Sequence, residues 1–400
     1  MSNNIILKDE ENIRVFDEGK MVDLLDQIEG GTIRTRFYIN EAKLQPLDNV
    51  PILIDQLRRA LKISLDVSDD AVKETMETTG LVMNAPTGKS GNYAVYPVAS
   101  SASMTLNARA GFVQASCLRY GSSRGRIQMA PTERASVLNS GMSCYSTRAL
   151  SIIRDEKIRA VLSGDDGDYS VIPANECFAA IRDTLKSLSN WNVGFHYGDV
   201  NHEYTSFSLV IKSKDLLSEI EKAFSRSVLK WDNTYFPVIK VCTSDIGFSG
   251  VNIYPMIVNK MGNEIPLGVV LKTSHKGKKT IDDVIESTKK VFSSFREAST
   301  NIEKLGNYSV LNLAGLVKCV AKAAKLPKVL TFKMIDEFVA RYGENVYGVD
   351  VFFLLTDILD AWYQEGKISS YLQLVSSETI ARLLFEDRIK EIDYPFEWDV

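Results

Sequence analysis

The sequence contains no uninterrupted apolar run long enough to span a bilayer, which argues against a membrane-crossing helix. Cysteine is scarce: Cys117, Cys144, Cys177, Cys242 and Cys319 are widely spaced, with no CxxC pair and no adjacent histidine. That spacing excludes a zinc-ligand pattern and reads as free, buried thiols. The three histidines, His196, His202 and His275, form no ligand cluster by spacing. Internal repeats are absent, which excludes a solenoid. The start, MSNNIILKDEEN, turns acidic directly after a short apolar stretch, the wrong order for a secretory signal, so a cytoplasmic location is expected. With 45% apolar and 24% charged residues over 400 positions, the composition is that of a globular chain of two or three domains.

Acid is also scarce locally, and there the absence becomes informative. Between residues 78 and 154 the single acid is Glu133, against Lys89, Arg109, Arg119, Arg124, Arg126, Arg134, Arg148 and Arg154. The segment therefore carries +7 inside a chain of net −4, leaving −11 for the remainder. Arginine in place of lysine favours planar, two-pronged contact with phosphate or carboxylate. Tyr93, Tyr96 and Tyr120 lie among these cations, between glycines that permit close backbone approach. Cations for a backbone and rings for bases are what a polyanion groove requires. The competing reading is a glycine-rich region whose arginines pair with the acidic remainder.

Periodicity predicts a strand near 32–39 and helices over 50–63 and 68–78. YAVYPV and SMTLNARAGF, starting at Tyr93 and Ser103, read as strands. From residue 149 the pattern gives a hairpin around Asp155-Glu156-Lys157, a helix after Pro173, a second hairpin around Asn201-His202 and a helix near 215–227. Three strand-like runs follow, FPVIKVCTS, VNIYPMIV and PLGVVLKTS, and after Ser274 the chain reads as helical, near 280–304, 309–325, 331–342, 349–364 and 376–390. The expected fold is α+β: a hairpin-rich mixed sheet backed by helices, with a mainly α-helical C-terminal domain. Its parts are an acidic helical region (1–77), the Arg/Gly-rich segment (78–148), an α+β core (149–275) and a helical domain (276–400).

Three further constellations stand beside the arginine segment. Ala85-Pro86-Thr87-Gly88-Lys89-Ser90 ends like a phosphate-binding loop, but Met83 occupies the place of its first glycine, and a plain turn is the better account. The turn Asp165-Asp166-Gly167-Asp168 spaces carboxylates like a calcium loop without the closing glutamate; solvated caps are commoner, and a magnesium-dependent nuclease is the sharper alternative. Lys272, Lys276, Lys278 and Lys279 flank the last domain boundary, and Lys318, Lys322 and Lys325 share a helix face, where like charges repel unless an anion screens them.

The stretch KIRAVLSGDDGDYSVI from Lys157 to Ile172 resembles the "vRAflSdrY…ip" signature of a phage- and plasmid-borne family, domain of unknown function nine-three-two. Cys242-Thr243-Ser244-Asp245-Ile246-Gly247-Phe248-Ser249-Gly250 followed by VNIYPMI resembles that family's "NSevGgsal.v.p" strand pair, and the likeness covers roughly 150–300. Two departures are the insertion Gly164-Asp165-Asp166-Gly167 before Tyr169, and Asn259-Lys260-Met261-Gly262-Asn263 where the family has cysteine-asparagine-glycine. The resemblance implies a mobile-element origin, most simply a bacteriophage, and hence a host cytoplasm.

Composition and resemblance together predict a non-enzymatic nucleic-acid-binding protein acting in recombination, annealing or genome protection. Single-stranded DNA is the favoured partner, no cofactor is expected, and the protein is expected to be a homo-oligomer that uses the apolar residues of 351–362. Arg109, Arg119, Arg124, Arg126, Arg134 and Lys89 would meet phosphates, and Tyr93, Tyr96 and Tyr120 would stack on bases. A structural or host-interaction protein is the alternative, and a nuclease built on Asp165, Asp166 and Asp168 the third.

Overall fold

The computed structural model describes residues 11–47, 68–86, 93–113, 118, 129–188, 192–227, 236–258, 264–268, 270–368, 370–385 and 387–394. The strands in chain order are β1 (Ile13–Val15), β2 (Ile33–Tyr38), β3 (Lys43–Pro46), β4 (Leu81–Pro86), β5 (Tyr93–Pro97), β6 (Arg148–Arg154), β7 (Lys157–Ser163), β8 (Asn192–Val200), β9 (Thr205–Lys212), β10 (Phe236–Thr243), β11 (Val251–Val258), β12 (Glu264–Pro266) and β13 (Leu271–Thr273). The helices are α1 (Glu18–Gly30), α2 (Asp69–Glu77), α3 (Ala102–Arg109), α4 (Pro131–Ser143), α5 (Ala174–Ser187), α6 (Lys214–Phe224), α7 (Ile281–Lys289), α8 (Val291–Gly306), α9 (Leu313–Ala323), α10 (Lys328–Tyr342), α11 (Gly348–Gln364), α12 (Ser370–Leu384) and α13 (Ile389–Ile392). The α+β class and the helical C-terminal region expected from the sequence are both present. The ladders that build the three sheets are antiparallel throughout rather than mixed.

The largest sheet runs β1-β8-β9-β10-β11-β12, with β13 also on β11. Alternation divides its two faces. Phe207, Leu209, Ile211, Ile239, Val241 and Ile253 enter the main core beneath the helices, and Val238, Tyr254 and Met256 form a smaller cluster with Leu374 of α12. That second face also buries charge. Lys240 Nζ donates to Glu264 Oε2 at 2.5 Å and to the Tyr197 hydroxyl at 2.7 Å, while Ser208 Oγ donates to Glu264 Oε1 at 3.0 Å. Tyr197, Ser208 and Lys240 stand opposite one another in the β8-β9-β10 register, which brings their side chains together.

The second sheet, β2-β6-β7, is a hairpin extended by a strand from the start of the chain. Asp155 (φ 47°) and Glu156 (φ 62°) form its two-residue turn, in the left-handed region that a tight hairpin requires. One face packs Phe37, Ala149, Ile153 and Val161 against Leu106 of α3 and Leu138 and Met142 of α4. The other packs Leu150, Ile152, Ala160 and Leu162 beneath Tyr169 and Ile246. Gly247 lets the Ile246 loop approach this closely: its φ is +88°, and a Cβ there would lie 2.7 Å from Leu162 Cδ2. The third sheet, β3-β4-β5, meets the second through a bridge between Val98 and Ile158.

Several expectations need correction. Residues 103–112 hold the helix α3 and not a strand, because Ala102, Leu106 and Ala110 recur every four positions and all are buried. The helix expected over 280–304 divides into α7 and α8 at Lys290, and within the described residues of the last strand-like run, PLGVVLKTS, the strand is β13 alone, β12 ending at the run's first residue, Pro266. The helix expected over 50–63 lies outside the described residues. In α11, Val351, Phe352, Leu354, Leu355, Ile358 and Leu359 are buried in the main core, and Trp362 packs against it. These six buried side chains fill the interior and offer no surface for assembly, and the outer face of α11 carries Asp357, Asp360 and part of Trp362.

Candidate nucleic-acid interface

The edge of β7 defines the candidate site. An edge strand presents unpaired peptide groups, and here α3 lies along them. Ser101 Oγ donates to the Arg159 carbonyl at 3.0 Å, and Thr105 Oγ1 accepts the Val161 N–H at 3.0 Å. Helix α3 ends at Arg109, so the cover stops short of Ser163. Gly164 N–H donates to the Arg148 carbonyl at 3.0 Å, and antiparallel alternation then turns the Ser163 peptide groups outward. A cavity of about 430 Å³ opens there, lined by Thr105 and Arg109 of α3, Ser163 of β7, Asp168, Tyr169 and Lys276.

The walls beyond β7 are two loops clipped together. Asp165 Oδ1 accepts the Gly167 N–H at 3.0 Å, the Asp165 carbonyl accepts from Asp168 and Tyr169 at 3.0 Å, and Ser163 Oγ donates to Asp168 Oδ2 at 3.1 Å. The acidic turn is then tied to the basic loop after β13. Gly277 N–H donates to the Gly167 carbonyl at 3.0 Å, and Ser170 N–H donates to the His275 carbonyl at 2.5 Å. His275 stacks on Tyr169 with ring centroids 5.1 Å apart, its Nδ1 is 2.9 Å from the Ser170 carbonyl, and burial pushes its pKa below the ordinary value. The Tyr169 hydroxyl donates to the Asp245 carbonyl at 2.7 Å, and burial pushes its own pKa up. The segments 157–172 and 242–250 therefore pack against each other here.

Arg109 and Lys276 supply the positive charge. Arg109 is half-buried in the last turn of α3, where a cation also suits the helix dipole, and Lys276 is exposed. Neither makes an ion pair among the described residues, whereas other cations of the region are consumed. Arg154 and Lys157 pair with Asp245 and Glu74, and Arg36 pairs with Asp166 at 2.6 Å. Asp168, held by Ser163, is the carboxylate of the cavity. Among the described residues no group of three potential metal ligands occurs. Asp165 and Asp166 are engaged in the turn and with Arg36, as capping residues are.

The residues expected to bind nucleic acid are dispersed. Arg109 lines the cavity. Arg134 does not: it is 4% exposed and donates to the Thr79 carbonyl, so it ties α4 to the end of α2 and cannot reach a phosphate. Tyr96, half-buried on β5, packs against the second core, and Tyr93 lies on the same strand. Lys89, Arg119, Tyr120, Arg124 and Arg126 lie outside the described residues, as do residues 87–90 of the loop that follows β4. Sequence reasoning missed the part played by Ser163 and Thr105, for which an edge strand followed by an Asp-rich turn was the available signal. It noted Lys276 without a partner in space. Comparison with protein-family models, curated proteins and solved structures finds no match for this chain.

Proposed function

We propose that this protein binds single-stranded nucleic acid without cleaving it, and that the cavity at the β7 edge receives a phosphate of the strand. The observation that carries the reading is the convergence of Arg109 and Lys276, from distant parts of the chain, on one open cavity with no ion-pair partner for either among the described residues. Outward peptide groups at Ser163 and the hydroxyl of Thr105 add neutral hydrogen-bonding capacity beside them. A cavity of about 430 Å³ accommodates one nucleotide unit and not the breadth of a duplex, which favours a single strand. The resemblance to a phage- and plasmid-borne family supports a mobile-element origin, and recombination, annealing or genome protection are the processes of such an element that need a bound single strand.

The test is a salt titration of binding to single-stranded oligonucleotides. Arg109→Gln with Lys276→Gln is expected to weaken binding and to flatten the log-log salt slope by about 0.7 per cation removed. A folded double variant with unchanged affinity and slope would remove the cavity from the reading. Strand cleavage by the native protein, abolished in Asp168→Asn, would overturn the non-enzymatic part.

A further inference from the structure

A second cationic surface lies at the hairpin of α9 and α10. Between Glu303 and Asp336 the chain carries six lysines and no acid. Four of them, Lys318, Lys322, Lys325 and Lys328, gather around the turn that joins the two helices. The Nζ atoms of Lys318 and Lys328 lie 5.0 and 5.4 Å from the centroid of the one ring of Phe332, so two ammonium groups from the two helices meet the same ring. Lys322 and Lys325 are exposed, and neither they nor Lys318 make an ion pair among the described residues.

The turn itself gives up stability to keep a lysine. Lys325 N–H donates to the Lys322 carbonyl at 3.1 Å and Leu326 N–H to the Ala321 carbonyl at 2.8 Å, the paired bonds of a Schellman ending, with Pro327 next. The residue between the two bonds takes a left-handed conformation, a place glycine fills most easily, and here it is Lys325 with φ 60°. A strained backbone that places a further cation beside Lys318 and Lys322 lowers stability twice, and an anionic ligand offsets the second loss.

We infer that the α9–α10 hairpin is a second contact for nucleic acid, a phosphodiester backbone lying across Lys318, Lys322 and Lys325, distinct from the cavity at β7. Two alternatives fit less well. Lysine is depleted at protein–protein interfaces, where arginine and aromatic residues replace it. Docking on a lipid surface needs a broad apolar face to insert, and in α10 Ile335 and Phe338 are buried, Leu330, Phe332, Met334 and Val339 are half-buried, and Val329, 83% exposed, is the one large apolar residue of the helix that is exposed. This inference rests on nucleic acid being the ligand, as proposed for the cavity.

The deciding experiment compares the native protein, Arg109→Gln/Lys276→Gln, Lys318→Gln/Lys322→Gln/Lys325→Gln, and Lys325→Gly with short and long single-stranded oligothymidine over a range of salt, and with phosphatidylserine vesicles. The triple variant is expected to lose affinity for the long strand, with a salt slope lower by about 2, and to bind the short strand as the native protein does. Lys325→Gly is expected to raise Tm while lowering long-strand affinity, which separates lost binding from lost folding. Native-like binding by the triple variant, alongside weakened binding by the cavity variant, overturns the hairpin inference and leaves the cavity standing. Vesicle binding that disappears in the triple variant while oligonucleotide binding persists assigns the hairpin to lipid and overturns it too. Absence of salt-sensitive oligonucleotide binding by the native protein sinks both readings.

Discussion

Lys240 sits in the middle of FPVIKVCT, a strand otherwise apolar enough to be buried on both faces, and its side chain is 3% exposed. A charge in such a place is compatible with folding only with a partner. Burial opposes ionisation of Glu264, yet Lys240 with the hydrogen bonds from Lys240, Tyr197 and Ser208 outweighs it and holds the carboxyl below its usual range. Burial likewise opposes the Lys240 ammonium, and Glu264 more than restores it. The signs follow. Glu264 has a depressed folded pKa, so its contribution is present above the ordinary value of 4.5 and is lost as pH falls through the folded value. Lys240 has a raised one, so its contribution is complete below 10.5 and is lost as pH rises beyond it. Glu264→Gln should cost about 3–5 kcal/mol in chemical denaturation, because it leaves an uncompensated buried ammonium, and Lys240→Met added to it should recover part of that loss. A single cost below about 1 kcal/mol would show the pair to be solvated. Half of this pair was legible in the sequence: a lone lysine in an apolar strand points to a buried partner. Glu264 was not, because NEIP reads as a solvated turn and only the fold carries it to Lys240.

At the scale of elements, hairpins were legible because alternation and turn chemistry are local. The β6-β7 and β8-β9 pairs form around Asp155-Glu156 and Asn201-His202, as their flanking apolar runs require. SMTLNARAGF was not legible: four-residue apolar spacing and a loose two-residue alternation coexist in it, and tertiary packing on β7 selects the helix. That packing has a measurable polar component. Thr105→Val keeps the shape of the side chain and removes the acceptor of the Val161 N–H, leaving a buried donor without its partner. A loss of about 1–3 kcal/mol is expected, with faster amide exchange at Val161 than elsewhere on β7; unchanged exchange there would mean that α3 does not cap the strand. The Arg109–Lys276 cavity was half legible. Both cations were singled out, but their meeting depends on loops after β7 and β13 being clipped together by backbone hydrogen bonds, which no side-chain pattern records.

For the molecule as a whole, a net charge of −4 conceals two cationic regions, the 78–154 segment and the α9–α10 hairpin, within an acidic remainder. With the apolar residues 351–359 of α11 buried, association of copies is expected to be electrostatic, through the complementary cationic and acidic regions. Light scattering is expected to give a mass that falls toward that of one chain as salt is raised; a mass above one chain that ignores salt would require an apolar interface elsewhere. The pairing of β1 with β8 has a consequence for how the chain is made. Arg14 binds Asp199 through two hydrogen bonds, 2.7 and 3.0 Å, across a separation of 185 residues. At ordinary synthesis rates the first strand leaves the ribosome about 10–40 s before its partner exists. Throughout that interval Ile13 and Val15 lack the sheet edge they complete, and Phe16, still 71% exposed when folded, stands beside them. The nascent chain thus offers chaperones a defined early binding segment, which closes only when β8 has been translated.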